Sequence, residues 1–566
     1  MKPKPYNWKT SSTNAPIATA LAKALDLNPI LASLLIQRGI DTPEKARSFF
    51  QPSFSDLNNP FDIKDMDLAV QRLDLAIQQK QRILLYGDYD VDGTTSVAFM
   101  YSFLSRLTQH LDYYLPDREK EGYGVSLQGV EYAREQNCTL IVAMDCGIKA
   151  NEAVDLANSY GIDFIICDHH LPEGELPKAV ANLDPKRADC PYPFKELSGC
   201  GIAFKLAQAL SLHYNMPAEE LANLLDLVSV SIACDIVPII DENRTLTYFG
   251  LKRLNRSPGI GLSALVDTIK RPKPLTVMDL VFGLGPMINA AGRLGDARDA
   301  VKLLLSADKN SATDAARHLS SRNAERRSVD YATAEEARMR YMKLPDWEDK
   351  KSIVLFDPGW HKGVIGISAS RIAEDFHKPT VILTKSNGRA VGSARSVRGF
   401  DLYAALQHCE DLFYTYGGHA HAAGMQMPIE NIEAFTELFE RVVSDMMTTE
   451  LEAPTLEIAS KIEFTQITPE FWSGLKKFEP FGPSNMTPLF LAESVRDTGH
   501  SRILDNNHAR FSLYQYSSKP IFTGIGFGLG EAFKNVKHRP FDMVFSLREE
   551  EWRGNKKLAI HVRDLR

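Results

Sequence analysis

The sequence has 566 residues, which at about 150 residues per compact unit allows roughly four domains. Apolar residues make up 44% and charged residues 24%, which excludes a disordered chain, a collagen-like fibre and a small disulfide-stapled scaffold. With 65 Lys and Arg against 72 Asp and Glu the net charge is −7, so contact with nucleic acid requires a local basic groove.

The polar start, Met1 to Lys9, lacks the apolar stretch of a secretory signal, and no window approaches 18 uncharged apolar residues. The seven cysteines (138, 146, 167, 190, 200, 234 and 409) are odd in number, contain no Cys-x-x-Cys pair and read as reduced core residues. A cytoplasmic protein without membrane contact is expected.

Residues 1–45 read as a short helical lead-in. Within 46–302, short apolar runs at 82–86, 112–115, 139–144, 163–167 and 179–183 alternate with amphipathic helical stretches at 95–107, 127–135 and 150–160. Near-continuous apolar strands with helical crossovers predict a parallel sheet covered on both faces. Residues 303–350, rich in Ala, Arg, Glu and Ser, predict a long connecting helix. A second α/β unit is expected over 351–450, opening with a strand at 353–356, a helix at 364–375 and a strand at 380–383. From 451 to 566 short alternating runs predict a small β-barrel. The expected fold class is therefore α/β with a C-terminal β-barrel.

The acids fall at strand ends. Asp88, Asp90 and Asp92 follow the first strand in Gly87-Asp-Tyr-Asp-Val-Asp-Gly93, Asp145 follows another, and Asp168, His169 and His170 a third. Asp235 closes the helix-like run Ser231-Ile-Ala-Cys-Asp. One acid after a strand is commonly a turn or cap residue. Three strands delivering acids and imidazoles to the carboxyl edge of one sheet, where open α/β sheets bind ligands, is a different matter. Converging carboxylates repel unless divalent cations join them; carboxylate with neutral imidazole suits Mn²⁺, and Mg²⁺ where oxygen dominates. Two ions sharing one bridging carboxylate would form a site for phosphoester hydrolysis.

Gly87–Ser96, Met144-Asp-Cys-Gly147 and Asp168-His-His170 resemble the first three motifs of the DHH phosphoesterases, most nearly those of the RecJ-type single-strand-specific DNA exonucleases. Cys200-Gly-Ile-Ala-Phe204 and Ala233-Cys-Asp-Ile-Val237 are similar to the next motifs, Gly417-Gly-His-Ala-His-Ala-Ala-Gly424 to the DHHA1 signature, and 478–485 to the entry of an oligonucleotide-binding (OB) domain. The resemblance covers about residues 45–566. It implies a DHH catalytic domain at 46–302, a DHHA1 substrate-binding domain at 351–450 and an OB-like domain at 451–566.

By motif, the resemblance assigns Asp92, Asp145, His169 and Asp235 to one ion, and Asp90 with the shared Asp145 to a second, with Asp88 beside it. His170 would contact the scissile phosphate, and Asp168 would orient a neighbour rather than bind metal. The residues alone do not divide the two histidines between these roles. Arg118, Arg293 and Arg395, with Ser393, resemble contacts to a 5′-terminal phosphate, and Gly417, Gly418 and His419 read as substrate contacts. His421 is read with them.

The resemblance implies a Mn²⁺- or Mg²⁺-dependent exonuclease that degrades single-stranded DNA 5′ to 3′ into mononucleotides during recombination and repair. It further implies a monomer working beside a helicase and single-strand-binding protein. Residues 451–566 carry a net charge of +2 and interleave Phe511, Tyr514, Tyr516, Phe522 and Phe527 with Lys and Arg, as a single-strand groove would. A DHH phosphodiesterase for short RNA or cyclic dinucleotides is disfavoured by chain length and the barrel. A non-catalytic DNA-binding relative is disfavoured by the complete acid set.

Overall fold

The computed structural model describes residues 5–118, 120–552 and 555–566. The chain divides into two compact units. One comprises residues 42–325 with 476–486; the other comprises the chain up to 41, 326–475 and 487–566.

Strand β1 (Asn7–Thr10) opens the second of these units. It is followed by two short apolar helices, Ala15–Leu25 and Pro29–Gln37. The sheet of the other unit is built from β2 (Ile83–Gly87), β3 (Leu111–Tyr114), β4 (Leu140–Met144), β5 (Asp163–Cys167) and β6 (Ala181–Leu183). Its order is β3-β2-β4-β5-β6, and every pairing is parallel. Ile83, Leu85, Val142 and Ile165 pack into one core, while Leu84, Tyr86, Ile141 and Ile166 pack into another on the opposite face. That double burial is why these strands read as unbroken apolar runs.

Helix Lys309–Met342 then carries the chain from one unit into the other. Beyond it lie β7 (Ile353–Phe356), β8 (Thr380–Ser386), β9 (Arg389–Arg395), β10 (Thr415–His419) and β11 (Ala422–Met427). They form a mixed sheet in the order β10-β11-β9-β8-β7. Strands β12 (Thr455–Lys461), β13 (Leu489–Asp497), β14 (Arg502–Leu504), β15 (His508–Gln515), β16 (Ser517–Gly526), β17 (Phe541–Trp552) and β18 (Asn555–Leu565) complete the fold. The order β13-β17-β18-β16-β15, with β15 returning to β13, closes a five-stranded barrel. Closure removes the sheet edges that an open antiparallel sheet would expose.

Two segments differ from the sequence-based expectation. The lead-in is not wholly helical, because β1 pairs in parallel with β12 and joins the barrel sheet. Its helices bury Leu21, Leu31, Leu34 and Leu35, apolar surface that a short free segment has no way to cover. Residues 476–486 lie inside the expected C-terminal domain yet belong to the parallel-sheet unit. There the Ile239 amide donates to the Pro483 carbonyl (2.7 Å), Arg244 donates to the Glu479 carbonyl (2.8 Å), and the Phe478 ring meets Phe49 and Phe50. Among the described residues all seven cysteines are free, and no single helix is long and apolar enough to cross a membrane.

Candidate metal centre and substrate residues

Local chemistry fixes each acid. Asp90 is the N-cap of helix α1 (Val91–Leu104), its Oδ1 accepting from the amides of Asp92 (2.9 Å) and Gly93 (3.2 Å). Gly93 is obligatory in this turn, since a Cβ there would lie 2.3 Å from the Asp88 carbonyl oxygen. Asp145 sits just past β4 at φ 61°, a left-handed conformation that Asp tolerates better than most residues. Helix α2 (Gly199–His213) begins against it, and a Cβ on Gly199 would come within 2.6 Å of Asp145 Cβ. Asp235 arrives from a different direction, as the C-cap of helix α3 (Leu225–Cys234).

These residues converge. His169 Nε2 lies 3.2 Å from Asp145 Oδ1, 3.5 Å from Asp235 Oδ2 and 4.0 Å from Asp92 Oδ2. Three sets each offer ligand atoms within 4.8 Å of one another: Asp92, His169 and Asp235; Asp88, Asp90 and Asp145; and Asp145, His169 and His170. Asp145 belongs to two of the sets. Burial, reinforced by neighbouring carboxylates, pushes Asp88, Asp145 and Asp235 well above the usual carboxylate range and raises Asp90. Burial lowers His169 to about 4, leaving a neutral imidazole. Neither its ring nitrogens nor Asp235 Oδ2 has a hydrogen-bond partner among the described residues, although all three atoms are buried. Crowded acids and an unpartnered neutral imidazole fit divalent cations of the Mn²⁺ or Mg²⁺ type, whose charge would relieve the repulsion.

Asp92 is held most firmly. Its Oδ2 accepts from the Gly199 amide (2.7 Å), and its Oδ1 accepts from the Cys200 amide (2.9 Å) and Ser231 Oγ (2.6 Å). The N-terminus of α2 thus orients the carboxylate while leaving it room to face His169. The sequence motifs contain both Cys200 and Ser231 but give neither a role. The available signal was Ser198-Gly-Cys-Gly201, an N-cap serine followed by glycines at a helix start.

The adjacent histidines separate in space. His170 Nδ1 lies 2.7 Å from Asp168 Oδ1, which also accepts from the His169 amide (2.8 Å), and Asp168 Oδ2 accepts from the Ile148 amide (2.9 Å). Burial alone would raise Asp168; the hydrogen bond and charge of His170 lead the effects that outweigh it and bring the group to about 2. For His170 burial acts downward, and the Asp168 contact more than offsets it, so its pKa is raised. Tyr123 Oη lies 2.9 Å from His170 Nε2. Sequence reading missed both Tyr123 and the buried Asp184, another acid at a strand end, which burial lifts to about 7.

The substrate residues fall into two groups. In the parallel-sheet unit, the Arg118 guanidinium lies 5.2 Å from the Tyr89 ring centroid. Arg293 lies on helix Gly285–Leu294. A Cβ on Gly292 would lie 2.7 Å from the Tyr89 carbonyl oxygen, so that helix approaches closely. In the other unit, Arg395 Nη1 donates to Ser393 Oγ (2.9 Å) and the Ala394 carbonyl (2.8 Å). Strand register aligns Gly417, Gly424 and Ser393 in one row and His419, Ala422 and Arg395 two rows on, with Gly418, Ala423 and Ala394 between them. Gly417, Gly418, His419 and His421 are exposed. Gly366 closes over this face, its absent Cβ leaving 2.9 Å to Ser393 Oγ and to an Arg395 Nη atom. On the barrel, Phe511 and Phe522 are core residues, Tyr514 is half-buried, and Tyr516 and Phe527 are exposed.

Three family models match the chain: the DHH family N-terminal domain over residues 82–232, the DHHA1 domain over 349–445 and the RecJ OB domain over 458–564. The single-stranded-DNA-specific exonuclease RecJ of Bacillus subtilis is 35% identical, the match covering 98% of this chain and 70% of that protein. RecJ of Salmonella typhimurium is 32% identical over 95% of this chain and 96% of its own length. The crystal structure of RecJ from Thermus thermophilus in complex with Mn²⁺ superposes with a TM-score of 0.85 at 27% identity, covering 99% of this chain and 79% of that one. Its Mg²⁺ complex gives a TM-score of 0.77 at 25% identity. The domain order and this near full-length similarity to RecJ proteins establish that the chain belongs to the RecJ family within the DHH/DHHA1 superfamily.

Proposed function

We propose that this chain is a single-stranded-DNA-specific exonuclease that removes 5′-mononucleotides in the 5′-to-3′ direction with two divalent ions. The observation that carries the reading is the convergence of acids and a neutral imidazole from three parallel strand ends and one helix end. Asp92, Asp145, His169 and Asp235 would hold one ion, and Asp90 and Asp145 the other, with Asp88 alongside. When bound, the ions supply Lewis acidity and charge neutralisation at the scissile phosphate. The chain's own groups do the rest. Asp168 holds His170 through Nδ1, so that Nε2 can donate to a phosphate oxygen in place of its contact with Tyr123. The end of β4 and the N-terminus of α2 fix Asp145 and Asp92 before substrate arrives.

Arg118, Arg293, Arg395 and Ser393 are assigned to a 5′-terminal phosphate, whose oxygens suit forked guanidinium donors. Gly417, Gly418 and His419 are assigned to the adjoining strand, and exposed Tyr516 and Phe527 to bases along the barrel. The domain limits 46–302, 351–450 and 451–566 belong to this reading, amended by β1 and by residues 476–486. So do a cytoplasmic, monomeric protein and its work beside a helicase and single-strand-binding protein in recombination and repair.

Single strands labelled at either end and digested with Mn²⁺ test the proposal. Label should leave the 5′ end first as mononucleotide, and blunt duplex should resist. Arg395→Ala should cost about 1.5–3 kcal/mol of DNA affinity, and that penalty should shrink on DNA lacking a 5′ phosphate. Release of the 3′ label first, or equal penalties with and without the phosphate, would overturn the polarity and the pocket.

A further inference from the structure

Helix α3 ends at Asp235, and the next residue, Ile236, adopts φ 61°. This is the left-handed position just past a helix C-cap, where glycine is the default and asparagine the usual substitute. A β-branched side chain there clashes with the backbone. Among the described residues, Ile236 is the one β-branched side chain at positive φ. Burial does not offset the strain, since Ile236 is 63% exposed. An exposed apolar side chain therefore sits where it weakens the turn that presents Asp235, whose carboxylate lies 3.5 Å from His169 Nε2.

Two further exposed apolar side chains adjoin the same cluster. Leu171, 58% exposed, follows His170 in the chain, and Tyr123, 56% exposed, has its hydroxyl on His170. Strain retained without burial at a charged cluster points to a task performed with ligand present. A nucleotide has the matching chemistry, a phosphate for the acids with their ions and a flat apolar base and sugar for the rim.

We propose that Ile236 is a substrate-contacting residue, the principal part of an apolar rim formed with Leu171 and Tyr123 that grips the base and sugar of the nucleotide being released. Apolar contact of this kind is indifferent to base identity, as an enzyme that digests any sequence requires. The inference rests on the nuclease reading above, and its first test does not depend on activity.

Ile236→Asn and Ile236→Gly should keep or raise the thermal midpoint by about one to a few degrees, because both residues suit the left-handed turn. The same variants should raise KM for single-stranded DNA about five- to tenfold, while Ile236→Val stays near wild type. An oligonucleotide with an abasic first residue should be a poorer substrate for wild type, and Ile236→Asn should barely distinguish it from normal DNA. A lowered midpoint, or an abasic penalty equal in wild type and variant, overturns the rim. Failure of wild type to cleave DNA would instead overturn the nuclease reading.

Discussion

The carboxyl edge of the parallel sheet and the surface of the C-terminal barrel handle polarity in opposite ways. At the sheet edge, Asp88, Asp92, Asp145 and His169 are buried, and burial with mutual repulsion drives three of the cluster's carboxylates far from their ordinary pKa. On the barrel, Tyr516 and Phe527 stand in solvent. The first arrangement is costly unless a ligand completes it, so its residues have little freedom to change. The second costs little, and each side chain contributes separately. Chemistry and affinity are thus expected to fail differently when residues are removed.

The sharpest way to break that contrast is Asp145→Asn, which keeps the side-chain shape and the tolerance of φ 61° but removes the charge. Losing a carboxylate shared by two ligand sets should lower cleavage by about a thousandfold or more, several kcal/mol of transition-state stabilisation. Mn²⁺ should raise the thermal midpoint of wild type, and chelation should reverse the gain; in Asp145→Asn the increment should largely vanish. Robust cleavage by this variant in saturating Mn²⁺ would deny Asp145 a bridging role.

Phe527→Ala and Tyr516→Ala probe the other side of the comparison. Each should weaken single-strand binding by about 1–3 kcal/mol while leaving cleavage at saturating DNA nearly intact. Point substitutions serve better here than truncation. A chain cut near 447 would also lose residues 476–486, which pack within the catalytic unit through Phe478 and Pro483. A fall in kcat with unchanged affinity would place these aromatics in the chemistry and erase the distinction.

The smallest expected effect is on stability. Burial, helped by Arg548 and Arg563, lowers His561 of β18 from 6.5 to about 4. Its folded form therefore binds fewer protons than the unfolded chain between those values. The stability it contributes is complete above pH 6.5 and is lost as pH falls toward 4. The thermal midpoint should drop by about 2–6 °C over that window beyond the change seen in His561→Gln. Parallel curves for both proteins would show that His561 is not the titrating group.

Much of the site was legible because it is carried by contiguous motifs. Gly87–Ser96 encodes a strand end, an N-cap and a close turn within ten residues, and the short apolar runs at 140–144 and 163–167, alternating with helical stretches, read as strands buried on both faces. Alternation of short runs likewise announced a small barrel. The sequence by itself thus determined the order of the folding units, the parallel sheet and the acids along its edge, since local periodicity and turn chemistry are short-range properties. Tertiary structure decided what depends on residues far apart in the chain. It turned His169 toward the acids and His170 toward Asp168, brought the Gly199 and Cys200 amides onto Asp92 across 107 and 108 positions, and drew β1 into the barrel sheet. Those outcomes follow from which surfaces must be buried together and which buried polar groups must find partners, and neither is written in any single stretch of sequence.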